Sequence, residues 1–172
     1  MIATSMTTTR TSSGFTLIEL VIVITIIGIL AAVALPRLID AQGGARVAKA
    51  NALYGSMRSA TALARSRCEL DIAAVTTGRP AAGCALTPAK TNMDGTWVDM
   101  VNRYPAATAT GIDMAAAISL TADGLAAGGG NGVRTFDVIG GTIPECRITY
   151  NEAVMSAGQI VAPTLTVVTT GC

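Results

Sequence analysis

Residues 14–35 read Gly-Phe-Thr-Leu-Ile-Glu-Leu-Val-Ile-Val-Ile-Thr-Ile-Ile-Gly-Ile-Leu-Ala-Ala-Val-Ala-Leu. From Phe15 to Leu35 there are 21 residues and a single charge, Glu19. A helix of that length rises about 30 Å at ~1.5 Å per residue, the thickness of a bilayer's hydrocarbon core. Length and composition therefore predict a membrane-spanning helix. A secretory apolar region is shorter, roughly 7–15 residues, and ends at a small-residue cleavage site. Here the sixteen residues after Glu19 carry no charge and lead straight into Pro36.

Glu19 is the residue that the span does not explain. An acid at the centre of a membrane helix costs roughly 2.5–3.5 kcal/mol on insertion scales, and less near the interface. One reading leaves Glu19 wet at headgroup level. The other gives it a positive partner, which the span itself does not contain. Cleavage after Gly14 would create one, the new amine of Phe15. That amine lies one helical turn from its own Glu19, or meets the Glu19 of a neighbouring chain.

Gly14-Phe15-Thr16-Leu17-Ile18-Glu19, followed by a long apolar run, resembles the processing motif of type IV pilins and the related type II secretion pseudopilins. In that superfamily a membrane prepilin peptidase cuts after the glycine and N-methylates the phenylalanine. The glutamate then pairs with the N-terminal amine of a neighbouring subunit during assembly. The resemblance thus implies cleavage between Gly14 and Phe15, methylation of Phe15 and pairing through Glu19. It also implies the pilin fold: a long N-terminal α-helix, its first half transmembrane, packed on a small antiparallel β-sheet domain.

Residues 1–14 are rich in Thr and Ser with one basic residue, Arg10, and read as a cleaved leader. Leaders in the superfamily are usually more basic before the glycine, and Met6 is an alternative start. Residues 15–36 form the transmembrane and polymerisation half of the helix, punctuated by Gly28 and Pro36. Pro36 has no N–H for the carbonyl of Ala32. The plain consequence is a gentle kink; the sharper one is local unwinding of 28–36 when the span leaves lipid, as in the filaments of the family it resembles.

Residues 37–67 are expected to continue the helix as an amphipathic half. Leu38, Ala41, Ala45, Ala48 and Ala52, then Leu53, Met57, Ala60 and Ala64, follow helical spacing on two drifting faces. This segment carries six basic residues against one acid, +5, whereas 68–172 carries five against nine, −4. The charges read as a solvated face, or as basic stems meeting acidic bodies of adjacent subunits. Nucleic-acid binding is not predicted: the basic residues form no single stripe.

The 172 residues leave room for one small domain after the span, with 51% hydrophobic residues but only 3% aromatics. There is no histidine, which removes His-based catalysis and the commonest metal ligand. Cys68, Cys84, Cys146 and Cys172 all follow the span, an even number that fits two disulfides in an oxidising compartment. No pair has Cys-x₂₋₄-Cys zinc spacing. Closeness in sequence favours 68–84, leaving 146–172 to tie down the C-terminal end.

Residues 68–172 read as a globular α+β domain. The stretch 76–80 is a turn-rich loop. Asp94-Gly95 turns into a strand at 96–101, which Arg103-Tyr104-Pro105 ends. Residues 111–120 are expected as a short helix and 123–132, with its run of glycines, as a mobile loop. Strands are expected at 133–139, 146–151 and 164–169. Glu69 and Asp71 read as a solvated turn. The stretches 36–40, 97–112, 146–150 and 170–172 are similar, more loosely, to mannose-sensitive-haemagglutinin-type pilins of type IVa.

The expected function is a structural subunit of a type IV pilus, serving adhesion- or motility-type surface roles. No catalysis, metal or cofactor is expected. The expected partners are copies of the chain in a helical filament, the prepilin peptidase and the inner-membrane assembly platform. The precursor is expected in the bacterial inner membrane with its domain periplasmic, and the product in an extracellular pilus. The alternatives are a minor pilin or pseudopilin of a type II secretion system, and a single-span periplasmic binding protein that never polymerises. If the proline segment unwinds on assembly, amides of 31–35 exchange faster in filaments than those of 22–26. Hydrogen exchange on sheared filaments checks this, and equal protection rules unwinding out.

Overall fold

The computed structural model describes residues 15–77 and 83–172, with backbone alone at positions 39 and 40. The expected leader, Gly14 included, and Gly78-Arg79-Pro80 of the expected loop lie outside the described residues. A single helix, α1 (Leu17–Thr76), covers 60 residues. It is followed by β1 (Lys90–Met93), β2 (Thr96–Val101), β3 (Tyr104–Pro105), β4 (Leu125–Gly130), β5 (Val133–Val138), β6 (Arg147–Asn151), β7 (Val154–Ser156), β8 (Gln159–Val161) and β9 (Thr164–Val168). The fold is α+β: a long N-terminal helix with antiparallel sheets. The chain divides into two compact units, residues up to Ala41 and Gln42–Cys172.

The first unit is helix alone. Every side chain from Phe15 to Leu38 is exposed, and the surface is apolar on all sides. Pro36 sits inside α1, and the helix is maintained across it.

In the second unit α1 runs to Thr76 rather than stopping near Arg67. Glu69, Leu70, Ala73 and Ala74 are good helix formers, so nothing before the Thr76-Thr77-Gly78 stretch stops the helix. The hydroxyls of Thr76 and Thr77 donate to the carbonyls of Ala73 and Ala74 at 2.7 and 2.8 Å, serving last-turn acceptors that have no helical partner. The buried face is Ala50, Met57, Ala60, Thr61, Ala64 and Cys68, with Leu53 partly covered. The second expected apolar set is thus the packed one. Ala41, Ala45, Ala48 and Ala52 of the first set remain exposed, because the helix turns only one side to the sheet.

Two core clusters form under that face. Ala50 and Met57 pack with Ile112, Leu125, Phe136, Val138, Ile148 and Tyr150. Ala64 and Cys68 pack with Cys84, Val98 and Met100. The strands supply these residues by alternation: Val98 and Met100 of β2 point inward while Trp97 and Asp99 point out. Tyr150 donates its hydroxyl to the carbonyl of Pro105 at 2.6 Å, and burial pushes that hydroxyl's pKa up.

The sheets are an antiparallel meander β1-β2-β3, a four-stranded sheet β4-β5-β6-β9 and a separate hairpin β7-β8. The expected loop at 123–132 is instead mostly β4 and its turn. Gly130 pairs with Val133, leaving Asn131-Gly132 as a two-residue connection with φ of 52° and 79°. That is the Asn-Gly turn whose twist matches flanking strands, and it outweighs the weak strand propensity of the glycines. Asp94-Gly95 does the same between β1 and β2, with φ of 50° and 84°. Arg103-Tyr104-Pro105 does not simply end β2; Tyr104 and Pro105 pair back onto Val101 and Met100 as β3. The expected helix at 111–120 is a single π-helical turn, Ala109–Asp113, extended to Ala115 and closed by Ala117 at φ 51°.

Asp71 is not in a solvated turn. It accepts from the N–H of Cys84 at 3.3 Å and the hydroxyl of Thr91 at 3.2 Å, and pairs with Arg67 at 3.6 Å. It fastens the end of α1 to β1.

Phe136 is fully buried between helix and sheet. Phe136→Ala should lower stability by about 3–5 kcal/mol in urea unfolding of the disulfide-intact protein. Asp99 gives a pH signature. The hydroxyl of Thr110 at 2.5 Å and the ammonium of Lys90 at 3.0 Å hold its carboxyl below the usual carboxylate range. A folded pKa below the unfolded one stabilises above about pH 3.9 and ceases to do so as pH falls through the folded value. Asp99→Asn should therefore be less stable than the parent at neutral pH, and the gap should close in acid.

Candidate functional site at the N-terminal turn of the helix

The first turn of α1 is built by Thr16. Its hydroxyl oxygen accepts from the backbone N–H of Glu19 at 3.3 Å, and its carbonyl accepts from Leu20 N–H at 3.3 Å. Thr16 is therefore the N-cap and Glu19 the third helical residue. Thr-x-x-Glu is the spacing of a capping box. Sequence reading had the signal in Thr16-Leu17-Ile18-Glu19 and did not use it.

This changes the account of Glu19. The carboxylate sits in the turn where unpaired N–H groups and the helix dipole amount to about half a positive charge, a placement typically worth 0.3–1 kcal/mol. That partial charge does not neutralise a full one. Among the described residues Glu19 has no ion-pair partner. The next basic residue along the helix, Arg37, is 18 residues away, about 27 Å along the axis. Phe15 directly precedes the cap and is 80% exposed, so an amine there is accessible to a second molecule.

The rest of the segment has no internal reason for its small residues. A Cβ added at Gly28 would meet nothing within 4 Å. Ala31 and Ala34, with Leu35 and Leu38, line a shallow apolar groove on the helix surface. Thr25 folds its hydroxyl back onto the carbonyl of Ile22 at 2.8 Å, so it presents no unpaired donor.

The four cysteines form two disulfides, Cys68–Cys84 and Cys146–Cys172, with Cα atoms 5.1 and 4.8 Å apart. All four thiols are consumed, leaving none as nucleophile or metal ligand. The first bridge holds the last turns of α1 to a 3₁₀ turn, Gly83–Ala85. The second joins the start of β6 to the C-terminal residue, whose carbonyl also accepts from Arg46 of α1.

The family model described as the prokaryotic N-terminal methylation motif matches residues 9–35. The type IV narrow pilus major component PilA5 of Thermus thermophilus is 53% identical over 53 residues, 31% of this chain. Over these N-terminal stretches the chain is similar to type IV pilins. The matched stretch spans 46% of that relative's length. No solved structure matches the chain. The methylation-motif match and the capped turn coincide: the matched segment contains Thr16, Glu19, Gly28 and the helix start.

Proposed function

We propose that this chain is a structural subunit of a type IV pilus, of the type IVa, mannose-sensitive-haemagglutinin-type group. The observation that carries the proposal is the uncovered helix of the first unit. Its side chains from Phe15 to Leu38 are all exposed and, after Glu19, uncharged up to Arg37. An apolar surface of that extent is stable only in lipid or among copies of itself. The acid in its first turn selects for a partner with a free amine.

On this reading the leader 1–14 is removed by a prepilin peptidase and Phe15 is N-methylated. The precursor waits in the inner membrane with residues 42–172 in the periplasm. An assembly platform then draws the span into a helical filament, where Glu19 of one copy meets the Phe15 amine of another. Gly28 and the alanines at 31, 32 and 34 allow the spans to approach closely. Adhesion- and motility-type surface roles follow from a disulfide-braced outer domain. The oxidising compartment this requires agrees with four cysteines in two bridges. The chain acts as substrate of the processing enzyme and catalyses nothing itself.

The mass of the mature N-terminal peptide tests the reading. It should begin at Phe15 and carry one added methyl group. Glu19→Ala should abolish surface filaments while leaving the precursor in the membrane. Recovery of uncut chain, or normal filaments from Glu19→Ala, would overturn it.

A further inference from the structure

The Gln42–Cys172 unit has satisfied most of its own charges. Asp113 pairs with Arg134, Asp137 with Arg147, Asp99 with Lys90, Glu69 with Arg103 and Asp71 with Arg67. Among the described residues of this unit, the basic side chains left without a carboxylate, carbonyl or hydroxyl partner are Lys49 and Arg58. The acids left without a cation or hydrogen-bond donor are Asp94 and Glu145. Lys49 faces a concavity that already contains Asp123. Arg58 does not.

Arg58 lies in an open groove of about 570 Å³ between α1 and the start of β9. Tyr54, Ala62, Tyr104 and Leu165 make its walls largely apolar, and Arg58 and Arg65 place two guanidiniums in it. No carboxylate lines it. Arg65 is held in place: it donates to the hydroxyl of Tyr104 and lies over that ring, 5.0 Å from the centroid. Tyr54 reaches the groove from one helical turn before Arg58, and Tyr104 from β3.

The Ile139–Glu145 loop between β5 and β6 has the opposite character. Ile139 and Ile143 are 65% and 60% exposed, and Glu145 beside them is exposed and unpaired. The loop is rigid. Ile139 N–H donates to Gly124 O at 3.0 Å, Thr142 N–H to Gly171 O at 2.8 Å, and Gly171 N–H to Glu145 O at 2.9 Å. The Cys146–Cys172 bridge closes it. A preformed knob loses little entropy on docking.

We propose that the Ile139–Glu145 loop of one copy docks in the Arg58 groove of a second copy, the isoleucines against its apolar walls and Glu145 against the guanidinium of Arg58. The charges and the apolar surfaces are complementary, and among the described residues each is unpartnered within its own chain. The loop lies level with Arg46, since a Cβ on Gly140 would approach the Arg46 guanidinium at 3.6 Å. Arg46 and Arg58 are 12 residues apart, about 18 Å along α1. The two surfaces therefore sit at different heights on one body. A contact between unlike surfaces displaced along an axis repeats without closing, which generates a filament. The inference rests on the pilus reading and gives it a specific lateral contact.

The test uses the full chain in cells that assemble it, with sheared filament measured. Arg58→Glu and Glu145→Arg should each cut the yield about tenfold, and the two together should restore it. Cells making both Ala62→Cys and Ile143→Cys chains should yield filaments containing disulfide-linked dimers. Normal yield from the single variants, a double variant no better than either, or absence of the crosslink overturns the contact. Rescue of Arg58→Glu by Asp94→Arg instead assigns the groove to the β1-β2 turn and also overturns it. If the unaltered chain makes no filament, the pilus reading itself fails, and this contact with it.

Discussion

A helix surface that is apolar all round has to be covered. Fifteen large apolar side chains between Phe15 and Leu38 are exposed. At roughly 1.5–3 kcal/mol for full burial of each, their exposure to water would exceed the entire net stability of an ordinary domain, about 5–15 kcal/mol. Water is therefore excluded as a resting environment for this segment. Lipid would cover it, and so would a bundle of identical spans. Between those two the hydrophobic term nearly cancels, because lipid tails are as apolar as leucine. What selects the bundle must be close packing and polar pairing. The segment has both: small residues at 28, 31, 32 and 34, and one acid.

The second unit solves a different problem, building a stable body from few aromatics. Small residues on α1 leave room for larger side chains from the sheets: Ala50 packs with Phe136, Ile148 and Tyr150, and Ala64 with Val98 and Met100. The two bridges lie toward opposite ends of the α1 segment of this unit. Cys68–Cys84 holds its C-terminal end, and Cys146–Cys172 lies near Arg46 at its start. A cross-link over 16 or 26 residues contributes about 3 kcal/mol in the chain-entropy model, a sizeable share of such a domain's stability. Cross-strand ion pairs such as Asp137–Arg147 add register, because a slip by one residue would separate them.

Much of this was legible in the residues, for identifiable reasons. The span, the motif around Glu19 and the disulfide partners rest on composition and spacing, which do not depend on tertiary context. Strands at β2, β5, β6 and β9 were legible because β-branched and aromatic residues alternate there. What was missed was decided by local chemistry overridden or overlooked. Gly128-Gly129-Gly130 looks mobile by propensity, yet pairs as a strand because Asn131-Gly132 supplies the turn and β5 the partner. The β7-β8 hairpin carries exposed Val154, Met155 and Val161, so no inside-outside alternation marked it. The helix end at Thr76 was hidden because Cys68 looked like a domain boundary. The Arg58 groove could not be read at all, since Tyr104 and Leu165 come to it from strands distant in sequence.

Glu19 does two jobs that differ in charge. As the third residue of a helix capped by Thr16, it sits where a turn of unpaired N–H groups favours an anion, whether or not the leader is attached. This local field lets the precursor keep a carboxylate at the edge of the span without a counter-ion. It is only a partial charge, however, and an uncut chain has an uncharged amide, not an amine, at Phe15. On the proposed reading, cleavage would change that. It would add a full positive charge at Phe15, next to an N-terminal turn that is already positive, where a cation is repelled by its own helix. On that reading the new amine would be better served by the acid of another copy, displaced along the axis from its own dipole, than by sharing its own first turn with Glu19, where the helix dipole opposes it. If the chain is processed as proposed, the same dipole that shelters Glu19 would drive the new N-terminus toward a neighbour, and processing would be the event that makes an isolated span unfavourable relative to an assembled one.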